Sequence, residues 1–338
     1  MTSLRQKLAQ ASVALGITII AERLANRRGL LVLTYHRIGD PLATPFDPGT
    51  FSASASEFEW QIEYLKRRFQ VATLDEAIWL SSEPSRFRRL VILITFDDGY
   101  RDNYSIAFPV LRAHNLQATF FLMTSFIGAS RLPWWDSIAY LVRHTRKEKI
   151  RLQYPFFSEY ELCGETSTSL RRILRLYKSM MTVDTERFMR ELSDECEVSI
   201  QDSAAERLFI DWGEAREMVQ YGMSVGSHTH SHLVLSKLAP LQQCKELQLS
   251  RSLLEAELSI KIRAVAFPVG SISAFDETTM KIAKESGYEA AFSHYGGFNR
   301  YERISSFNLL RVGVEAGTSA SLFRLRYSLI PQFGRVVV

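Results

Sequence analysis

The chain has 338 residues, enough for one α/β barrel or for two domains of about 150 residues each. Hydrophobic residues make up 46% and charged residues 23%, which excludes wholesale disorder, collagen and coiled coil. The formal net charge of +4 is spread along the chain, so nucleic acid is not the expected partner. The three cysteines, Cys163, Cys196 and Cys244, are far apart and form no C-x-x-C, which argues against a disulfide framework or a thiolate zinc site and fits a reducing compartment.

Residues 1–29 carry Arg5 and Lys7, the apolar stretch from Ser12 to Ala21, and then Glu22, Arg23, Arg27 and Arg28. That stretch is shorter than the roughly 20 apolar residues that span a bilayer. A secretory signal is the nearest competitor, but Glu22 and Arg23 stand where its cleavage site belongs. The expectation is therefore an N-terminal helix, either ordinary or lying on a membrane surface as a peripheral attachment.

Seven short apolar runs follow: Leu30–Tyr35, Val91–Phe96, Ala118–Leu122, Met223–Gly226, Ala264–Phe267, Ala290–Phe292 and Leu309–Val314. Between most of them lie helix-period stretches, such as Phe58, Ile62, Leu65 and Phe69, or Met280, Ile282 and Ala283 before a stop at Gly287. Strands apolar throughout and alternating with helices predict a parallel sheet covered on both faces. Residues 129–209 break the rhythm. They show no clear strand but do show a helical stripe of Leu170, Ile173, Leu174, Tyr177 and Met181, which predicts a helical insertion. The domain reading is a barrel over 30–330 and a tail over 331–338.

Chemistry-bearing residues fall at the C-terminal ends of these runs, where parallel α/β folds place their sites. Thr95-Phe96-Asp97-Asp98-Gly99-Tyr100 sets two adjacent carboxylates at a strand end. Buried there, they require a cation; on a solvated Asp-Gly turn they do not. Gly226-Ser227-His228-Thr229-His230-Ser231-His232 follows another run. His228 and His232, four positions apart, share a face if the loop coils into a helical turn, and imidazoles with a carboxylate are a usual zinc ligand set. The alternative is a histidine-rich surface loop.

Thr95–Tyr100, Ala118–Leu122, Gly226–His232 and the stretch from Trp212 to Gly222 together resemble the polysaccharide deacetylases, the NodB-like carbohydrate esterases, from about Leu30 to Val314. The resemblance implies an α/β fold, an irregular seven-stranded (β/α) barrel with, here, the helical insertion. It also implies a divalent metal, zinc above all, held by Asp98, His228 and His232, with Asp97 as general base toward a metal-bound water. Thr229 would support the ligand loop, and His230 would point away from the ion.

Two of the family's stretches depart from pattern. The usual arginine before a Pro-rich turn is missing from Ala266-Phe267-Pro268-Val269-Gly270, although the turn itself would still present the Val269 N–H to an oxyanion. The family's late Leu-x-His has no match in Asn308-Leu309-Leu310-Arg311-Val312. His294 is the candidate replacement as catalytic acid, and Arg311 either restores the missing cation or forms a structural ion pair. His36 lines the site or serves structure. Trp134, Trp135 and Asp136 either meet sugar rings or anchor the insertion. Arg171, Arg172 and Arg175 form a solvated helix face or meet anionic lipid or glycan.

The function expected is a metal-dependent hydrolase removing an N-acyl group, chiefly acetyl, from an amino sugar of a polysaccharide, oligosaccharide or lipid-linked glycan. A deformylase and a catalytically silent glycan-binding protein on the same fold are the alternatives. A glycosidase needs two separated carboxylates, and a metal-independent esterase needs a Gly-x-Ser-x-Gly elbow that the chain lacks. The expected location is the cytoplasm or the inner face of the cytoplasmic membrane.

Overall fold

The computed structural model describes residues 10–12, 28–164, 166–180, 185–200 and 207–333, and side chains no further than 328. The expected N-terminal helix thus lies almost wholly outside the described residues. Two compact units emerge, one of residues 1–39, 51–127 and 209–338, the other of 40–50 and 128–208.

The first unit is a nearly closed parallel barrel. Its seven strands are β1 (Gly29–Tyr35), β2 (Leu90–Phe96), β3 (Thr119–Leu122), β4 (Ser224–Ser227), β5 (Ala264–Ala266), β6 (Ala290–Phe292) and β7 (Arg311–Gly313). Neighbours run β6-β5-β4-β3-β2-β1-β7, and a bridge between Phe292 and Leu309 spans the remaining gap. β1 and β2 pair residue for residue from Gly29 with Leu90 to Tyr35 with Phe96. That register brings the ends of both strands to the same level, which matters for the residues that follow them. All seven strands coincide with the apolar runs, because a strand buried on both faces has no polar alternation to conceal it.

The packing explains the pattern of sizes. Phe58, Ile62 and Leu65 of the helix Ala55–Arg68 are fully buried against the barrel. Tyr35, Phe58, Phe96 and Phe120 form a chain of ring contacts at 4.8–5.6 Å. Burying each such ring contributes on the order of 2 kcal/mol. Helix starts are set locally: Ser54 with Glu57, Thr73 with Glu76 and Asp211 with Glu214 are reciprocal capping boxes. The closing helix Ala320–Phe333 runs three residues past the boundary assigned to the tail.

The second unit holds the helices Trp134–His144, Thr166–Ser179 and Thr185–Cys196. Leu170, Ile173 and Leu174 are buried as the stripe predicts; Met181 lies outside the described residues. The expectation of a strandless insertion is corrected, because Lys149–Leu152 and Ser158–Glu161 form an antiparallel hairpin. Ile150 and Leu152 point inward while Lys149 and Arg151 pair with Glu159. The alternation was present, but four residues among many charges are too few to stand out from a helical pattern. Residues 40–50 also join this unit, through the Asp47 N–H donating to Asp136 Oδ1 at 3.1 Å.

Candidate active site

Asp97 N donates to Tyr35 O at 2.9 Å and extends the β1–β2 ladder by one step. The strand then breaks: Asp98 has φ 72° and Gly99 has φ 77°. A left-handed aspartate costs on the order of 1 kcal/mol and persists only where its surroundings hold it. The turn faces the two carboxylates different ways, so they meet different partners.

Across the barrel, β4 delivers the histidine loop. Gly226 is required there, since a Cβ would run into the Phe121 ring. Thr229 (φ 64°) and His232 (φ 56°) are both left-handed, so the loop coils by a strained turn and not by the helical turn expected. The Thr229 N–H donates to Ser227 Oγ and the His232 N–H to Thr229 Oγ1, at 3.1 and 3.2 Å. Glu246, from the helix Pro240–Leu258, accepts the His230 and Ser231 N–H groups at 3.0 and 2.7 Å. His230 turns to Thr124, its Nδ1 2.8 Å from Oγ1. Pinned this way, His228 and His232 lie with ring centroids 4.8 Å apart.

Asp98, His228 and His232 converge, with one donor atom of each within 4.8 Å of the others. Asp98 Oδ1 lies 3.5 Å from Nε2 of both histidines. That oxygen is buried and accepts no hydrogen bond of proper geometry. His228 Nδ1 sits 2.8 Å from Ala266 O, and a carbonyl only accepts, so Nδ1 carries a proton and Nε2 faces the carboxylates. An oxygen and nitrogens held 3.5 Å apart are too far for good hydrogen bonds. Donors around a tetrahedral ion with bonds of about 2.0–2.1 Å stand about 3.3 Å apart. The residues therefore fit a small divalent cation.

Asp97 is held separately. Arg311 Nη1 and Nη2 donate to its two oxygens at 2.6 and 2.7 Å, and Arg311 Nε donates to Ser293 O at 2.8 Å. Arg311 is wholly buried, so an unpaired guanidinium there would cost several kcal/mol; this pairing makes it tolerable. Burial alone would raise the Asp97 pKa, but Arg311, with His228 next, overrides it and holds the carboxyl well below its ordinary value. For Asp98, burial is likewise overcome, by His228, His36 and His232, and its pKa is lowered. Burial would lower His228, yet Asp97 and Asp98 pull it up. A carboxylate pair this buried calls for positive charge.

The rim is built from the loops after β5 and β6. Val269 is left-handed (φ 62°), and its N–H has no acceptor among the described residues. Gly270 O accepts His294 N–H at 2.7 Å, and a Cβ on Gly270 would lie 2.6 Å from that nitrogen. The His294 ring meets His36 edge to face at 5.6 Å. Burial, then Arg311 and His36, push its pKa down to about 3, so it is uncharged at neutral pH. His36 is fixed on both sides of its backbone, its N–H donating to Ser52 Oγ at 3.0 Å and its C=O accepting from Asn103 Nδ2 at 2.6 Å.

Glu246, Asn103 and the Ser293 carbonyl escaped sequence reasoning. Glu246 is one charge among several on the long helix Pro240–Leu258, and a main-chain carbonyl leaves no trace in residue identity. In the second unit, Asp136 is fully buried and Trp135 nearly so, while Trp134 stacks on Tyr177 at 4.5 Å; these residues anchor that unit. Arg171, Arg172 and Arg175 are exposed.

Comparisons with known proteins bear on the family and the fold. The family model described as polysaccharide deacetylase matches residues 85–291. The chain is 25% identical over 297 residues to YxkH of Bacillus subtilis (strain 168), whose name assigns it to the polysaccharide deacetylases, covering 87% of this chain and 74% of that protein. It is 33% identical over 115 residues to the poly-beta-1,6-N-acetyl-D-glucosamine N-deacetylase of Staphylococcus epidermidis (strain ATCC 35984), a stretch covering 31% of this chain and 39% of that enzyme. Among solved structures, the Streptococcus pyogenes deacetylase PplD superposes with a TM-score of 0.57 at 17% identity, covering 88% of this chain and 96% of that one. IcaB from Ammonifex degensii superposes at 0.56 and 20% identity, covering 90% and 97%. The last two likenesses bear on the fold, and the family model spans more than half of the sequence, including both carboxylates and both histidines: the chain belongs to the polysaccharide deacetylase family.

Proposed function

We propose that the protein is a zinc-type, metal-dependent carbohydrate deacetylase that hydrolyses an N-acyl group, chiefly acetyl, from an amino sugar of an N-acetylated glycan. The observation that carries this reading is a division of labour between adjacent carboxylates. Asp98 faces His228 and His232, while Asp97 is gripped by Arg311 with Oδ2 still only 3.8 Å from His228 Nε2. A site built for binding alone has no use for a second, separately ionised carboxylate at that position.

Asp98, His228 and His232 would hold the ion, which when bound polarises an acyl oxygen and acidifies water. Asp97 is ionised through Arg311 and takes the proton from the attacking water as general base. The Val269 N–H, with no acceptor of its own, donates to the oxygen that gains charge in the tetrahedral state. His294, the candidate acid, is held neutral by burial and Arg311 and packs against Gly270 and Gly313, so the proton for the leaving nitrogen is assigned to the other rim imidazole, His36, whose ring meets it at 5.6 Å.

The test is acyl release from a panel of N-acetylated oligosaccharides, with metal content measured in parallel. Asp97→Asn is expected to keep the ion and lose turnover, and His228→Ala to lose both. Equal activity in all three proteins would sink the reading. No release by the metal-loaded parent from any acylated glycan would favour a silent binding protein.

A further inference from the structure

In the second unit, the hairpin loop Gln153-Tyr154-Pro155-Phe156-Phe157 carries two adjacent phenylalanines that are 59% and 62% exposed. Adjacent exposed phenylalanines at a loop tip are costly to leave in water and mark a contact surface. The charges around them are sorted. The hairpin's carboxylates are occupied, Glu159 by Lys149 and Arg151, and Glu161 by Lys149. On the neighbouring helix, Glu191 accepts the N–H groups of Gln153 and Tyr154, and Glu195 accepts the Arg151 N–H and faces Lys147. Arg172, Arg175 and Arg187 are exposed and meet no carboxylate within 4 Å among the described residues. Two of these guanidiniums lie on the hairpin itself: Arg187 sits 4.2 Å from the Tyr154 ring centre, beside the loop tip, and Arg172 lies 5.0 Å from that of Tyr160.

We propose that this hairpin and its arginine rim dock on the surface of an anionic lipid bilayer. Phe156 and Phe157 enter the headgroup–acyl boundary, and Arg172, Arg175 and Arg187 meet anionic headgroups. Apolar side chains that need a nonaqueous phase, bordered by arginines that meet no carboxylate, match that surface in both chemistry and sign. The proposal is independent of the deacetylase reading and of residues 1–29.

The test is sedimentation of the full chain with vesicles of phosphatidylcholine alone or mixed with phosphatidylglycerol, alongside activity on a soluble substrate and far-UV circular dichroism. The parent is expected to bind the phosphatidylglycerol vesicles and not the neutral ones. Phe156→Ser with Phe157→Ser is expected to lower partitioning on the order of tenfold or more, with fold and soluble-substrate activity unchanged. Arg172→Gln with Arg175→Gln and Arg187→Gln is expected to lose most of the preference for phosphatidylglycerol, each charge contributing about fivefold. Parent-like binding by the double phenylalanine variant overturns the proposal, as does parental binding that ignores headgroup charge or is absent from both vesicles. Loss of binding through Arg23→Gln with Arg27→Gln, while both hairpin variants bind normally, assigns the contact to the N-terminal segment and equally overturns it.

Discussion

Arg311 and Asp97, 214 positions apart in sequence, form a two-pronged ion pair at 2.6 and 2.7 Å in which the guanidinium is wholly buried. The family's usual arginine is absent from Ala266–Gly270, and this one comes from β7 instead. The pair therefore serves both readings of Arg311 at once: it is a structural ion pair, and it fixes the ionisation and aim of Asp97, the base in the proposed reaction.

Arg311→Gln is expected to leave the Asp97 carboxylate buried without its cation. Breaking one side of a buried pair costs about 3–5 kcal/mol. Urea denaturation should register that loss, and the surviving folded fraction should show reduced turnover with zinc content unchanged. Arg311→Lys keeps the charge but not the fork, and is expected to recover stability better than activity. Parent-like turnover in Arg311→Gln would remove its role in positioning Asp97.

Glu246 holds the histidine loop through the main-chain N–H groups of His230 and Ser231. Glu246→Ala leaves both donors without a partner, and supporting groups of this kind are worth about 10–100-fold in metal affinity. Zinc titration against a competing chelator is expected to give a weakened affinity, with activity restored at high zinc. An unchanged affinity would mean that the loop is held by its left-handed residues alone.

Metal should also stabilise the fold. Asp98, Thr229 and His232 all sit in left-handed backbone, and Asp98 Oδ1 is buried without a hydrogen bond. A ligand that binds only the folded state adds about 2.7 kcal/mol at a hundred times its dissociation constant. The expected result is a thermal midpoint that rises with zinc concentration in the parent and stays flat in Asp98→Ala and His232→Ala. Parallel curves for all three would place the ion elsewhere.

Gly270→Ala tests the rim. With φ at 57° and His294 N only 2.6 Å from where the Cβ would stand, the turn must shift. Left-handed strain alone costs on the order of 1 kcal/mol, and the clash adds to it. Catalysis is expected to fall through displacement of Val269 and His294 while metal affinity is kept. Full activity in this variant would exclude the Val269 N–H as a donor in the reaction.

What was legible in the sequence was whatever depends on the chain's own neighbours. Seven apolar runs announced seven strands, because burial on both faces leaves these strands mostly apolar, with no polar alternation. Asp97-Asp98-Gly99 and His228-x-x-x-His232 stood out because each sets two chemistry-bearing side chains within a few residues of a strand end. Ile150 and Leu152 alternated too briefly to declare the hairpin. The tertiary structure alone decided which side chains answer one another across the barrel: Arg311 with Asp97, Glu246 with the histidine loop, Ser293 O with Arg311, and His36 with His294. Those partners lie on different strands and helices, and distance in space between separate elements is set by packing, which no local pattern of residues records.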